Sequence, residues 1–348
     1  MLITEYKLDL QLFAHANPFT PGTTPGTPTT NPVNLTTDDG FSPTMKVFAE
    51  TTLLENSREA NIFGQFSMKQ PIHGNTAEWR KFNKFPKALT ALKEGVIPSG
   101  QNFGMTTITA TVSQHGQYTA ISDRLEAEAK DDVIVGATEE MGASAGETKD
   151  ILTRNVLSES TEIAYAPIVD SDGSETAVSA RAQVTAAAVI TPRFVAKMAT
   201  WMKKNNVPKI DGKWIWVLHP SAAFDLRESN EWKEFHKYAN VAPIYNGEIG
   251  ELHGFKFIES NNCKVTKDGA SGVATYESYV FGRDAYGEIT PDGESMEMII
   301  KGKEYGGPLN QFSTIGFKFA HGAVILYPER FCLAVSGSSA YGDIDEAN

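Results

Sequence analysis

Cysteine is almost absent. The 348-residue chain holds two, Cys263 and Cys332, and neither belongs to a CxxC pair. That excludes a disulfide framework and a zinc ribbon. Buried, reduced thiols are expected instead, in a chain made in a reducing cytoplasm. Positive charge is also short: 31 Lys and Arg stand against 43 Asp and Glu, for a formal net charge of −12. A broad basic face that grips nucleic acid is therefore excluded. No apolar run approaches the ~20 residues of a membrane span. Glu5, Lys7 and Asp9 interrupt the N-terminal "MLITEYKLDLQLFAHA", so it does not read as a signal peptide. No membrane partner is expected.

The motifs of catalysis and cofactor binding are missing too. The chain has no HExxH, and no pair among its seven histidines has helical metal spacing. It has no Walker A loop, no GxGxxG and no GxSxG. "DSDGSE" (170–175) resembles a calcium loop but lacks its later carboxylates, and it reads as a solvated turn. "TVSQHGQYTAISD" (111–123) gathers Ser113, His115, Tyr118, Ser122 and Asp123. On a straight strand, however, His115 and Asp123 stand roughly 26 Å apart, which excludes a local triad. No catalytic residue, metal or cofactor is expected, and the chain does not read as an enzyme.

What the chain does contain falls into an order. Residues 17–44 are dominated by Pro, Gly and Thr, and bury too little to offset their ordering entropy. They form a tether, with residues 1–16 as a tag beyond it. Residues 45–69 have helical spacing, broken near Gly64. Next come two β-rich arms, about 77–85 and 106–121, separated by Pro86, Gly95, Pro98 and Gly100. A two-stranded ribbon is marginal alone in water, so one this long is expected to lie on something else. Asp123 reads as an N-cap with Glu126 completing a capping box. A long amphipathic helix is expected over about 131–158, with Ile134, Ala137, Met141, Ala145, Thr148, Leu152 and Val156 facing inward. Glu139, Glu140, Glu147 and Asp150 occupy its opposite face.

An α/β run follows. It has a helix from Pro192, the strand "GKWIWVLH", a helix from Pro220, and strands in "FKFIES", "ESYVFG" and "MEMIIKG". The tail reads as two strands around Gly322.

Several stretches in this order carry a family likeness. They are "FNKFPKALTALKEGVIP" (82–98), "TATVSQHGQYTAISDRLE" (109–126), "WIWVLHPSAAFDLRES" (214–229), "GEIGELHGFKFIES" (247–260) and "YVFGRDAYGEI" (279–289). Together they resemble the major capsid proteins of tailed bacteriophages, of the Hong Kong 97-type fold, and within these the family named after the phage N-four head protein. The likeness spans about 45–335. It implies an α+β capsid fold with an N-terminal arm, an extended β-hairpin loop, a long spine helix, and peripheral and axial domains. The parts would be a flexible arm and linker (1–45), an arm helix (46–72), the extended loop (73–122), the peripheral domain with its spine helix (123–184), the axial domain (185–300) and a return to the peripheral domain (301–348).

The implied function is structural. Copies would form hexamers and pentamers of an icosahedral head enclosing double-stranded DNA, in the virion, after assembly in the bacterial host cytoplasm. An encapsulin-like compartment of the same fold is the alternative. Implied partners are other copies of the chain, a separate scaffolding protein, a portal protein and a decoration protein. The acidic balance adds only weak, non-specific contact with the packaged DNA. Trp79, Arg80, Lys81, Lys84, Lys87, His115 and Tyr118 are the expected intersubunit contacts of the loop. Their expected counterparts on the spine helix of the next subunit are Glu139, Glu140, Glu147 and Asp150. The basis is charge: residues 123–150 hold nine acidic side chains against Arg124, Lys130 and Lys149.

Overall fold

The computed structural model describes residues 33–36 and 61–348, apart from 73, 84, 86, 90, 92–93, 96, 98–99, 129–132, 171–172, 230–231, 234–249, 292–295, 303–308, 310 and 343. The N-terminal tag, most of the tether and residues 45–60 of the expected arm helix (46–72) lie outside the described residues; beyond them that helix is a single turn, Phe63–Phe66, and Met68–Ile72 is a strand instead, drawn into pairing with a segment more than 200 positions away. The second α/β helix, expected over 220–238, ends at Glu228, where Ser229 turns to extended backbone, and residues 234–249 lie outside the described residues. The chain divides into two compact units.

One unit gathers Val33–Thr36, His115–Ala145 and Met296–Phe319. Its sheet is built on the first part of the strand Phe312–Ile325, which pairs antiparallel with Glu297–Lys301, Glu297 opposite Lys318. On the other side lies the strand Ser113–Ser122, whose outer edge takes Val33–Thr36 in parallel. The backbones of 116 and 317 approach closely: a Cβ on Gly116 would sit 2.7 Å from the Phe317 carbonyl oxygen. Only glycine fits there. A short helix, Asp123–Glu128, follows directly. It starts one residue earlier than the capping-box reading requires. The Asp123 N–H is taken up by the Gln311 carbonyl, to which it donates at 2.9 Å. The long helix then runs Val133–Ser158, 26 residues, or about 39 Å. Its first half belongs to this unit and its second half to the other.

The larger unit draws on Arg58–Gln114, Gly146–Ser295 and Ala320–Asn348. Its main sheet is mixed. The strand Trp214–Leu218 sits between Phe255–Glu259, in parallel, and Thr275–Phe281, antiparallel. Phe331–Ser336 and Ile163–Tyr165 extend the sheet beyond Thr275–Phe281. Every residue of Trp214–Leu218 is buried, because both faces are covered. Trp214, Trp216 and Leu218 pack with Phe194, Met198, Met202 and Leu226. Ile215 and Val217, on the opposite face, pack with Phe63, Leu157 and Tyr279. Helix Pro192–Lys204 is started by Thr191, whose hydroxyl accepts from the Phe194 N–H at 3.1 Å, with Pro192 in the first turn.

A second sheet of this unit places Tyr286–Pro291 between Met68–Ile72, in parallel, and the end of Phe312–Ile325, antiparallel. The tail does not break at Gly322. One strand of 14 residues passes through it, and the break falls at the turn Pro328–Arg330. Gly322 serves a close approach rather than a turn: a Cβ there would meet the Thr111 carbonyl oxygen at 2.6 Å. Both cysteines are free and buried. Burial pushes the Cys263 thiol well up and that of Cys332 up to about 12, so neither is a reactive thiolate at neutral pH.

Candidate functional site: the hairpin and the groove at its foot

The larger unit carries a hairpin. Thr76–Phe82 pairs antiparallel with Met105–Thr111, from Thr76 opposite Thr111 to Phe82 opposite Met105. The Asn83 N–H donates to Gly104 O at 2.9 Å and extends the pairing outward. Burial alternates along the first strand, with Ala77 and Trp79 inward and Glu78 and Arg80 outward. The inward face rests on Ile289 and Leu326.

The second arm is shorter than the expected 106–121. The Val112 N–H closes the hairpin on Asn75 O at 3.0 Å, and Ser113–Ser122 then joins the other unit's sheet. A period-two pattern marks a strand but not its partner, so two consecutive strands read as one arm. His115 and Tyr118 are therefore not on the hairpin. His115 is half-buried with its ring 5.9 Å from that of Phe319, and Tyr118 is exposed.

The remaining expected contacts separate as well. Trp79 is buried within its own chain, and its indole Nε1 has no hydrogen-bond partner. Lys81 already has partners: its Nζ donates to Glu329 Oε1 at 2.8 Å and Oε2 at 3.0 Å, and it stands 4.4 Å from the Tyr327 ring centroid. Burial raises the Glu329 pKa, but the Lys81 hydrogen bond and charge outweigh it and hold the carboxyl below the usual range. Arg80 and Lys87 are exposed, and Lys84 lies outside the described residues.

On the long helix, Glu139, Glu140 and Glu147 are exposed as expected, but Asp150 is not. Asp150 is fully buried, accepting from the Phe63 N–H at 2.7 Å and from Asn262 Nδ2 at 3.0 Å. It is an internal pin and takes no part in an exposed acidic face. The cause is the polar inner face of the helix's second half. Asp150, Thr153, Arg154 and Leu157 are the buried positions there, in place of the expected Leu152 and Val156 stripe. Arg154 donates to Asn262 O and to Asn348 Oδ1, each at 3.1 Å. Thr153 Oγ1 lies 3.1 Å from His321 Nε2. Lys149 pairs with the buried Glu288, which also accepts from Ser67 Oγ at 2.9 Å. Sequence reading missed Glu288, His321 and Glu329, because Ser67, Thr153 and Lys81, which bond to them, lie more than 130 positions away.

The outer end of the hairpin exposes large apolar side chains. Phe103 stacks between Phe82, at 4.9 Å, and Phe85, at 5.4 Å, and all three rings are exposed. Leu89 and Ile97 are 87% and 93% exposed, the two most exposed large hydrophobics among the described residues. At the foot, the lining of a groove of about 460 Å³ mixes apolar Met68, Trp79, Ile108 and Leu326 with charged Glu78, Arg80 and Lys81. Among the described residues no group of three His, Cys, Asp or Glu is placed to hold a metal ion.

Solved structures share this fold. A capsid structure of the cyanophage P-SCSP1u superposes with a TM-score of 0.61 at 17% identity, over 80% of this chain and 89% of that one. The capsid of cyanophage Pam1 gives 0.59 at 14%, over 79% and 89%. Mycobacterium phage Che8 gives 0.54 at 16%, over 75% and 84%. No curated protein matches the sequence. The fold is thus the Hong Kong 97-type capsid fold. The sequence model of a family described as phage capsid protein matches residues 105–330, and the chain belongs to that family. It is a major capsid protein of the tailed-phage type, a component of the virion shell, and the compartment alternative is not favoured.

Proposed function

We infer that copies of this chain form the hexamers and pentamers of an icosahedral head around double-stranded DNA, with the hairpin of each copy lying across a neighbour. One observation carries this reading. The hairpin holds three stacked but exposed phenylalanines, with Leu89 and Ile97 beyond them. A monomer has no use for such a surface, whereas an interface is made of it. Residues 123–184 and 301–348 supply the peripheral part and 185–300 the axial part. Assembly takes place in the bacterial host cytoplasm with a separate scaffolding protein, a portal protein and a decoration protein as partners. The net charge of −12 suits a wall that touches its DNA weakly and without sequence preference. The role is structural and involves no catalysis.

The test is the mass of the purified protein in solution under conditions that dissociate shells into capsomers. Species of five and six subunits are expected. A chain that stays monomeric at every concentration, and never yields shells, would overturn the reading.

A further inference from the structure

We propose that the outward face of helix Pro192–Lys204 makes the chain's contact with the phosphate backbone of packaged double-stranded DNA. This rests on the reading that the shell encloses DNA, and it names where a chain of net charge −12 touches it. From Ala177 to Ile210 the only charged residues are Arg181, Arg193, Lys197, Lys203, Lys204 and Lys209, all basic. The helix sorts those it carries. Phe194, Val195, Met198, Ala199 and Met202 are buried against the main sheet. Arg193, Lys197, Thr200 and Lys204 recur at three- and four-residue spacing on the opposite side, and all are exposed. Lys203 is exposed beside this stripe, and exposed Lys209 follows shortly past the helix end. From Arg193 to Lys204 the stripe is roughly 17 Å long. A duplex carries about ten phosphate charges over that length.

These charges are spare. Among the described residues the helix's one ion pair joins Arg193 Nε to Glu175 Oε2 at 3.6 Å, and Lys197, Lys203 and Lys204 have none. Helix stability does not account for the stripe. Lys203 and Lys204 suit the last turn, where they face the negative end of the helix dipole. Arg193 stands in the first turn, which holds no acid and where the dipole disfavours a cation. Nor does the face suit a protein partner. Its exposed positions are Arg193, Lys197, Thr200, Lys203 and Lys204, with no large apolar anchor among them. Lysine is depleted at protein interfaces, whereas phosphate contacts are built from Lys and Arg. So few cations on so acidic a chain hold DNA loosely and without sequence preference.

The test measures binding of the full chain to a short DNA duplex by fluorescence anisotropy, from about 50 to about 200 mM salt. The parent is expected to bind at micromolar affinity or weaker, and less tightly as salt rises. Lys197→Gln with Lys203→Gln and Lys204→Gln is expected to weaken binding at low salt at least about tenfold. It should also flatten the slope of log affinity against log salt by about 2.7, the share of three phosphate contacts. Its melting temperature and its shells should match the parent's. Lys69→Gln with Lys256→Gln and Lys318→Gln removes the same charge from exposed positions elsewhere, and should bind as the parent does. No loss in the helix variant, or equal loss in both variants, would overturn the proposal. Polyglutamate is the second probe. If the helix lysines hold it more tightly than the duplex, the face serves an acidic protein segment and the proposal falls. A parent that forms shells but binds no duplex at the lowest salt overturns this contact and leaves the shell reading intact. A parent that never forms shells removes both.

Discussion

Replacing Asp150 with alanine is expected to lower the stability of the subunit by about 3–5 kcal/mol, the usual cost of removing one member of a buried charged network. The side chain sits at zero exposure and holds the Phe63 N–H and Asn262 Nδ2. Its loss strands both donors and deprives the buried Arg154 of a nearby negative charge. Asp150→Asn keeps the shape and an acceptor, so it should cost less.

The pair of variants also carries a pH signature. Burial raises the Asp150 pKa, and its hydrogen bonds and Arg154 only partly oppose this. A carboxyl whose folded pKa lies above its unfolded one binds more protons in the native state. Its contribution is complete below the unfolded pKa and declines as pH rises through the folded pKa. Urea melts from below the ordinary aspartate range upward should therefore show stability falling faster with pH in the parent than in Asp150→Asn. Parallel slopes would show that Asp150 does not titrate differently on folding.

Trp216→Ala should act through packing alone, at about 3–5 kcal/mol. Trp216 lies at the middle of a strand buried on both faces, with ring centroids of Phe255 at 5.2 Å, Phe257 at 5.6 Å and Phe194 at 6.1 Å. Its indole Nε1 makes no hydrogen bond, so no polar partner is stranded by the change. Trp216→Phe fills most of the space and is expected to lose much less. Thermal melts of the two variants check this. Equal losses would mean that the indole N–H, rather than ring volume, carries the contribution.

These two residues differ in how far sequence announced them. Trp216 stands in an uninterrupted apolar run between turn residues, and such a run reads as a buried strand. Pro192 similarly marks a helix start from local chemistry alone. Asp150 carries the same acidic label as Glu139, Glu140 and Glu147, and helical periodicity puts it with them. What buries it is the set of donors from Phe63 and Asn262, far away in the chain. Trp79 shows the same limit: an aromatic on a ribbon suits an intersubunit contact, but Ile289 and Leu326 of its own chain cover it. The hairpin's existence was legible from its two alternating arms, and its end at Val112 was not. The continuation through Ser113–Ser122 has the same alternation and changes only its partner. The groove had no sequence signal, because four separate segments line it.

The claim that the hairpin joins copies into a shell is tested most directly by shortening it. Residues 83–104 are replaced with Asn-Gly, so that the strands Thr76–Phe82 and Met105–Thr111 meet through a tight turn. Sedimentation velocity and negative-stain images of the full and shortened chains are then compared at one concentration. The full chain is expected to give closed shells. The shortened chain is expected to melt at nearly the same temperature and to remain as small species. Closed shells of ordinary size and yield from the shortened chain would contradict the claim.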